Sequence, residues 1–207
     1  MAVQEPLIIG ITGGSGSGKT VFLREIAKPF TKEQICIISQ DDYYLPIDKQ
    51  LIDGNGIENF DLPTSFDIKG FERDLIKLKN GEPVEIKEYV FNNKDTEPSI
   101  ITLQPAPIII VEGIFVFHFK EIREKLDLKL FVDAREELKI IRRIKRDGME
   151  RNYPLDDVLY RYQHHVSPAY TTYIAPYIRE ADIVINNHHD YKKAANMVIG
   201  FLKNTLG

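Results

Sequence analysis

Residues Gly13 to Thr20 read Gly-Gly-Ser-Gly-Ser-Gly-Lys-Thr and fill every fixed position of the phosphate-binding P-loop. A loop this rich in glycine can turn backbone N–H groups inward around phosphate oxygens, Lys19 can reach the terminal phosphates, and the Thr20 hydroxyl can meet Mg²⁺. Gly13, Gly14, Ser15, Gly16, Ser17, Gly18, Lys19 and Thr20 are therefore the expected binding residues for a nucleoside triphosphate. Carboxylates stand at two further places. Asp41 and Asp42 follow an apolar run ending at Ser39, and Glu112 follows one ending at Val111. In an open α/β sheet the carboxyl ends of the strands form the ligand crevice, so these groups should converge on the P-loop. A carboxylate there can hold Mg²⁺, directly or through water, or accept a proton from an attacking hydroxyl. Asp41 is expected as the base, and Asp41, Glu112 and Thr20 as the metal-side groups. Asp42 is expected to point away, because side chains alternate beyond a strand.

Phosphoryl transfer also needs cations that neutralise the charge spread over the γ-phosphoryl oxygens. Arg142, Arg143, Lys145 and Arg146 fall within one helical pattern, and Arg151 follows Gly148. A lid spanning about 143–154, loosened by Gly148 and Asn152, would carry the arginines to the phosphates and exclude water. Arg142 and Lys145 read as a solvated helix face, given the acidic neighbours nearby.

The elements that must position these groups alternate. Leu7 to Ile11, Ile35 to Ser39, Ile108 to Val111, Leu128 to Val132 and Asp182 to Ile185 read as buried parallel strands covered on both faces. Helical patterns cover Val21 to Ala27, Phe71 to Lys79, Glu136 to Arg146, Leu155 to Tyr173 and Tyr191 to Leu202. The fold class is α/β, a P-loop NTPase-type parallel sheet with helices on both faces, in one domain over residues 1–207. Val84 to Phe91 and Ser99 to Leu103 alternate around Asn92 to Asp95, which predicts an inserted β-hairpin, about 84–103. Leu45 to Pro63 is too long for a routine connection and reads as a functional loop.

Composition narrows the class. The chain has 207 residues, 43% hydrophobic and 28% charged, with formal net charge −4. That balance argues for a folded globule and against bulk nucleic-acid binding. No apolar run approaches the roughly 20 residues that span a bilayer, so no membrane role is expected and a cytoplasmic location is. The single cysteine, Cys36, lies in an apolar run and reads as a buried, inert thiol. His164, His165, His188 and His189 lack the i, i+4 spacing of a helical metal clamp, and no zinc is expected. Asn93, Lys94 and Asp95 are followed by Thr96, without the fourth-position carboxylate of a guanine-reading motif. Lys19 stands where a Rossmann loop would place its third glycine.

In this order the residues resemble the uridine kinase and phosphoribulokinase family of P-loop kinases, nearest its uridine kinase branch. The similar pieces are Gly13 to Thr20, Ile38 to Tyr44, Asn59 to Pro63, Tyr89, Val111 to Gly113, Phe131 to Asp133, Arg142-Arg143, Arg146-Asp147, Arg151 and Ala181 to Ile185. The resemblance implies Mg²⁺-dependent transfer of the ATP γ-phosphoryl group to a hydroxyl of a small metabolite, uridine or cytidine giving the 5′-monophosphate, by a homo-oligomer. It implies Asp41 as the catalytic aspartate, Lys19, Arg146 and Arg151 as catalytic cations, and Asp61 and Arg143 at the sugar hydroxyls. Tyr44, Tyr89 and Phe91 would line the acceptor pocket with Lys94 and Arg161.

The departures cluster where a nucleobase would sit: Val90, Lys94 and Thr96 in the hairpin, Leu62 before Pro63, Tyr153 for a lid arginine and Arg161 for a pocket glutamine. The positive charge at Lys94 and Arg161 would suit an anionic acceptor such as a sugar phosphate or pantothenate, and nicotinamide riboside is another alternative. A second reading is a nucleotide-binding regulatory protein that has lost acceptor turnover.

Overall fold

The computed structural model describes residues 5–90, 98–150 and 152–207. In chain order the elements are β1 (Leu7–Thr12), α1 (Lys19–Ala27), β2 (Ile35–Ser39), β3 (Leu51–Ile52), β4 (Glu58–Asn59), α2 (Ile68–Lys79), β5 (Val84–Lys87), β6 (Ile100–Leu103), β7 (Ile108–Glu112), α3 (Lys120–Arg123), β8 (Leu128–Asp133) and α4 (Glu136–Glu150). A long composite helix follows: α5 (Leu155–Arg161), a π-helical turn over Tyr162–Val166, α6 (Ser167–Ala169), a second π turn over Tyr170–Ile174 and a 3₁₀ segment over Ala175–Glu180. β9 (Ile183–Asn186) and α7 (Lys192–Leu206) complete it.

Five strands form one parallel sheet in the order β2-β7-β1-β8-β9. The reason is visible along β1 and β7, where successive side chains enter opposite cores. Ile8, Ile109 and Val111 pack on one face with Phe71, Leu75 and Phe115, whereas Ile9, Ile11, Ile108 and Ile110 pack on the other with Phe22, Ile26 and Val198. Runs with no polar alternation are what a strand buried on both faces needs. α1 and α7 cover the second face, while α2 and the composite helix cover the first. The side chain of Asp67 caps α2 by accepting from Gly70 N at 2.9 Å.

All strands point the same way, so Thr12, Ser39, Glu112, Asp133 and Asn186 end at one edge, in register: Ser39 beside Glu112, Ile11 beside Glu112, and Asp133 beside Asn186. The crevice therefore opens where the apolar runs stop.

Among the described residues, two antiparallel strand pairs lie outside this sheet. β5 pairs with β6, Val84 opposite Leu103. β3 pairs with β4 as a short ribbon inside the Leu45 to Pro63 stretch. The composite helix differs from the single regular helix expected over Leu155 to Tyr173. In each π turn the hydrogen bond reaches five residues back, Ser167 N to Tyr162 O and Ala175 N to Tyr170 O. Pro168 and Pro176 come next in the chain. A proline inside an α-helix clashes with the carbonyl four residues back and donates nothing, and a widened turn immediately before it relieves both problems.

Candidate active site

The P-loop leaves β1 and wraps over the start of α1, and its glycines are set by backbone packing as well as by ligand access. Gly16 (φ 77°) and Gly18 (φ 98°) occupy left-handed conformations. A Cβ on Gly16 would sit 2.3 Å from the carbonyl oxygen of Lys139 in α4, and one on Gly18 would sit 2.3 Å from the Asn187 side-chain amide. Asn187 donates from Nδ2 to Ser17 O at 2.8 Å, and Arg142 donates to Ser17 O (3.3 Å) and Asn187 O (3.1 Å). Arg142 is thus not the solvated residue expected from the charge run: its guanidinium stitches the P-loop to the loop after β9. Lys145 is exposed, as expected.

Lys19 is buried, with its ammonium donating to Gly13 O at 2.9 Å and Gly14 O at 3.3 Å. Burial pulls it below the usual lysine range, against the opposing charges of Glu112 and Asp41. Glu112 is buried too, and accepts from the Ser39 hydroxyl at 2.8 Å. Desolvation, then the negative charge of Asp41, push its carboxyl up to about 7, with Lys19 and the Ser39 hydrogen bond pulling the other way. Ser39 Oγ also accepts from Asp41 N at 3.3 Å, so one hydroxyl orients both strand-end acids. Thr20 is exposed at the start of α1. The structure therefore brings Lys19, Asp41 and Glu112 into mutual electrostatic contact, with Arg146 acting on Lys19 and Asp41 as well.

A second layer comes from α4. Arg143 donates to Ser15 Oγ at 2.9 Å and pairs with Asp147 (3.1 Å) and Asp61 (3.8 Å), all buried or half-buried. Arg146 donates to Asp147 at 2.8 Å. Burial works against the charge of Arg146, and Asp147, together with the charges of Asp41 and Asp61, more than offsets it. Asp147 thus holds both arginines. Its spacing of four from Arg143 was the signal in the sequence, since i and i+4 share a helix face. Ser39, Lys139 and Asn187 were also missed. Lys139 is buried under the P-loop, 2.7 Å from Glu136 and 3.6 Å from the Tyr170 ring centroid. Gly148 lies inside α4, which runs on to Glu150.

An aromatic cluster follows Asp41 and Asp42 in the chain. Tyr44 lies 5.0 Å from Tyr89, 4.1 Å from Phe66 and 5.9 Å from Phe60, centroid to centroid. Asp42 does not merely point away: its carboxylate accepts from Tyr89 N at 3.4 Å, tying the chain just after β5 to the end of β2, and burial raises its pKa. Arg161 donates to Glu58 O at 2.6 Å and stands 3.9 Å from the Glu58 carboxylate, so its charge is answered by β4. Phe91, Lys94 and Arg151, like the turn Asn92 to Asp95 and Thr96, lie outside the described residues.

Residues 8–194 match the profile of the Phosphoribulokinase / Uridine kinase family. The chain belongs to this family. Among curated relatives, the uridine kinase of Clostridium tetani is 39% identical over 97% of this chain and 96% of that protein. The uridine kinase of Lactobacillus helveticus is 37% identical over 99% and 97%. Uridine-cytidine kinase B of Dictyostelium discoideum is 36% identical over 98% of this chain and 84% of its own length. Among solved structures, a possible uridine kinase from Bacillus stearothermophilus superposes with TM-score 0.60 at 21% identity, covering 89% of this chain and 90% of that one, which is a likeness of fold. As a member of the family the chain is a P-loop kinase, an ATP-dependent phosphotransferase acting on a hydroxyl group. None of the helices among the described residues is long and apolar enough to cross a membrane.

Proposed function

We propose that this family member transfers the ATP γ-phosphoryl group to the 5′ hydroxyl of uridine or cytidine, with Mg²⁺ as the accompanying ion. The observation that carries the acceptor is the Arg161–Glu58 contact. An uncommitted guanidinium beside the acceptor pocket would favour a phosphate or carboxylate on the substrate, but here a carbonyl and a carboxylate already answer it. Among the described residues, what remains beside the acceptor is chemistry for a neutral ribonucleoside. The Tyr44–Tyr89 cluster suits the face of a base, and the Asp61–Arg143 pair suits ribose hydroxyls, one accepting and one donating. The identity to proteins named uridine kinase supports the same acceptor.

In this reading the attacking hydroxyl gives its proton to Asp41 as its oxygen bonds to the γ-phosphorus, and the bond from that phosphorus to the β-phosphate oxygen breaks to release ADP. Lys19, Arg146 and Arg151 balance the charge on the transferring group. For this Lys19 must leave the carbonyls of Gly13 and Gly14, which it occupies here. The hydroxyl of Thr20 and the carboxylates of Asp41 and Glu112 are hard oxygen donors of the kind Mg²⁺ takes. When bound, the ion supplies charge neutralisation at the β- and γ-phosphates.

A product assay over uridine, cytidine, ribulose 5-phosphate, pantothenate and nicotinamide riboside tests this. The expected outcome is a kcat/KM for uridine or cytidine that exceeds every other acceptor by roughly tenfold or more. Preference for an anionic acceptor, or no product across the panel, rejects the proposal.

A further inference from the structure

The β3–β4 ribbon is held to the composite helix by a cluster that phosphoryl transfer does not use. Asp53, in the ribbon's turn, divides its two carboxylate oxygens. Oδ1 accepts from Asn55 N (2.8 Å) and Ile57 N (3.0 Å) and so builds the turn itself. Oδ2 accepts from the Tyr160 hydroxyl at 2.8 Å and from His165 Nε2 at 2.7 Å, both on the helix. Since an ionised carboxylate only accepts, Nε2 must carry a proton. Asn55 adds a bond from Nδ2 to the Tyr160 oxygen at 2.6 Å. His165 is buried, and Tyr160 stands edge-on to it at 5.8 Å. Four hydrogen bonds hold the Asp53 carboxylate well below the usual range, against a smaller desolvation cost.

The π turn is what makes this arrangement available. Residues five apart on a regular α-helix lie roughly 140° apart around its axis, which would send Tyr160 and His165 to different faces. Through the widened turn at Tyr162–Val166 both reach the same carboxylate oxygen.

The ribbon leads directly to the acceptor side. Leu51 pairs with Asn59, whose side chain accepts from Asp61 N at 2.9 Å and whose carbonyl accepts from Ser65 Oγ at 3.0 Å. Asp61 then faces Arg143. We propose that Asp53, Tyr160 and His165 form a clasp that fixes the β3–β4 ribbon on the helix and so sets the position of Asp61 against the acceptor. All three are positioning residues, and the assignment rests on the reading of Asp61 as an acceptor contact.

The test compares wild type with Tyr160→Phe, His165→Gln and the double variant Tyr160→Phe/His165→Phe. The double variant removes both helix donors with little change of volume, Tyr160→Phe alone is a milder form should the double variant misfold, and His165→Gln keeps an N–H for Asp53. Hydrogen exchange of the peptide 51–61 should quicken in the Phe variants and stay near wild type in His165→Gln. Acceptor kcat/KM, measured with whichever acceptor the wild type turns over, should fall by roughly tenfold to a hundredfold in the double variant. The KM for ATP should change by less than about twofold. Unchanged exchange over 51–61 refutes the clasp. Faster exchange with unchanged acceptor kcat/KM, or an equal loss toward ATP, refutes its positioning role. A wild-type enzyme that phosphorylates no acceptor rejects the proposed function instead, and the exchange arm still decides whether the clasp exists.

Discussion

Replacing Glu112 with glutamine should remove a pH dependence from the stability of the nucleotide-free enzyme. The Glu112 carboxyl is buried, and desolvation followed by the charge of Asp41 lifts it from 4.5 to about 7. Between those values the folded protein keeps a proton that the unfolded chain has released. Stability from this group is therefore complete below pH 4.5 and is lost as the pH rises through 7. At about 1.4 kcal/mol per pKa unit, the shift amounts to at most about 3 kcal/mol. For a chain of this length each kcal/mol moves Tm by about 2–4 °C, so wild type should lose at most roughly 6–12 °C relative to Glu112→Gln between pH 4.5 and 8. Glutamine still offers an oxygen to the Ser39 hydroxyl, so packing is conserved while the titration is gone. Thermal melts of both proteins at matched ionic strength, without nucleotide or divalent ions, give the comparison. Two Tm profiles that run parallel across this range would refute the argument, because they would mean that Glu112 titrates as it does in the unfolded chain.

Asp41→Asn should bind ATP nearly as wild type, while turnover of the acceptor drops by a factor of roughly 10² to 10⁴; steady-state kinetics alongside nucleotide titration check both halves, and near-normal turnover rejects Asp41 as the base. Gly10→Ala should destabilise the fold without a direct effect on the site, since its Cβ would meet Leu126 Cδ1 at 2.4 Å and Phe117 Cε1 at 2.9 Å. Overpacking of this kind costs roughly 1–3 kcal/mol, read as a lower denaturation midpoint with an unchanged denaturant slope.

The five-stranded sheet was legible because its strands are short apolar runs, interrupted only by Lys129 in β8, and the strand-end acids were legible because the runs of β2 and β7 stop just before them. The ribbon was not, since two-residue strands have no period to detect, although the length and glycines of Leu45 to Pro63 did mark it as more than a spacer. The π turns were equally silent in hydrophobicity, and only Pro168 and Pro176 signalled that a regular helix could not continue. Arg142 was misread because a charged stripe looks the same whether it meets water or the carbonyls of a neighbouring loop. Arg161 was read as spare positive charge because its partner Glu58 is 103 positions away in sequence. Ser39, Asn187 and Asp53 were missed for a related reason: their part in the structure consists of what they touch.

The pairing of each widened helical turn with a following proline has a consequence for how this segment can change over generations. Deleting one residue from Tyr162–Val166 would restore ordinary helical winding, but Pro168 would then sit inside a regular helix at a cost of about 3 kcal/mol or more. Replacing Pro168 alone leaves the extra residue in place. Neither single step is rewarded, so the irregularity is locked in by its own neighbour, and the same holds for Tyr170–Ile174 and Pro176. Lineages descending from this sequence are therefore expected to keep the residue count of the segment fixed even where its exposed side chains change, with His165 and Tyr170 held by their own contacts.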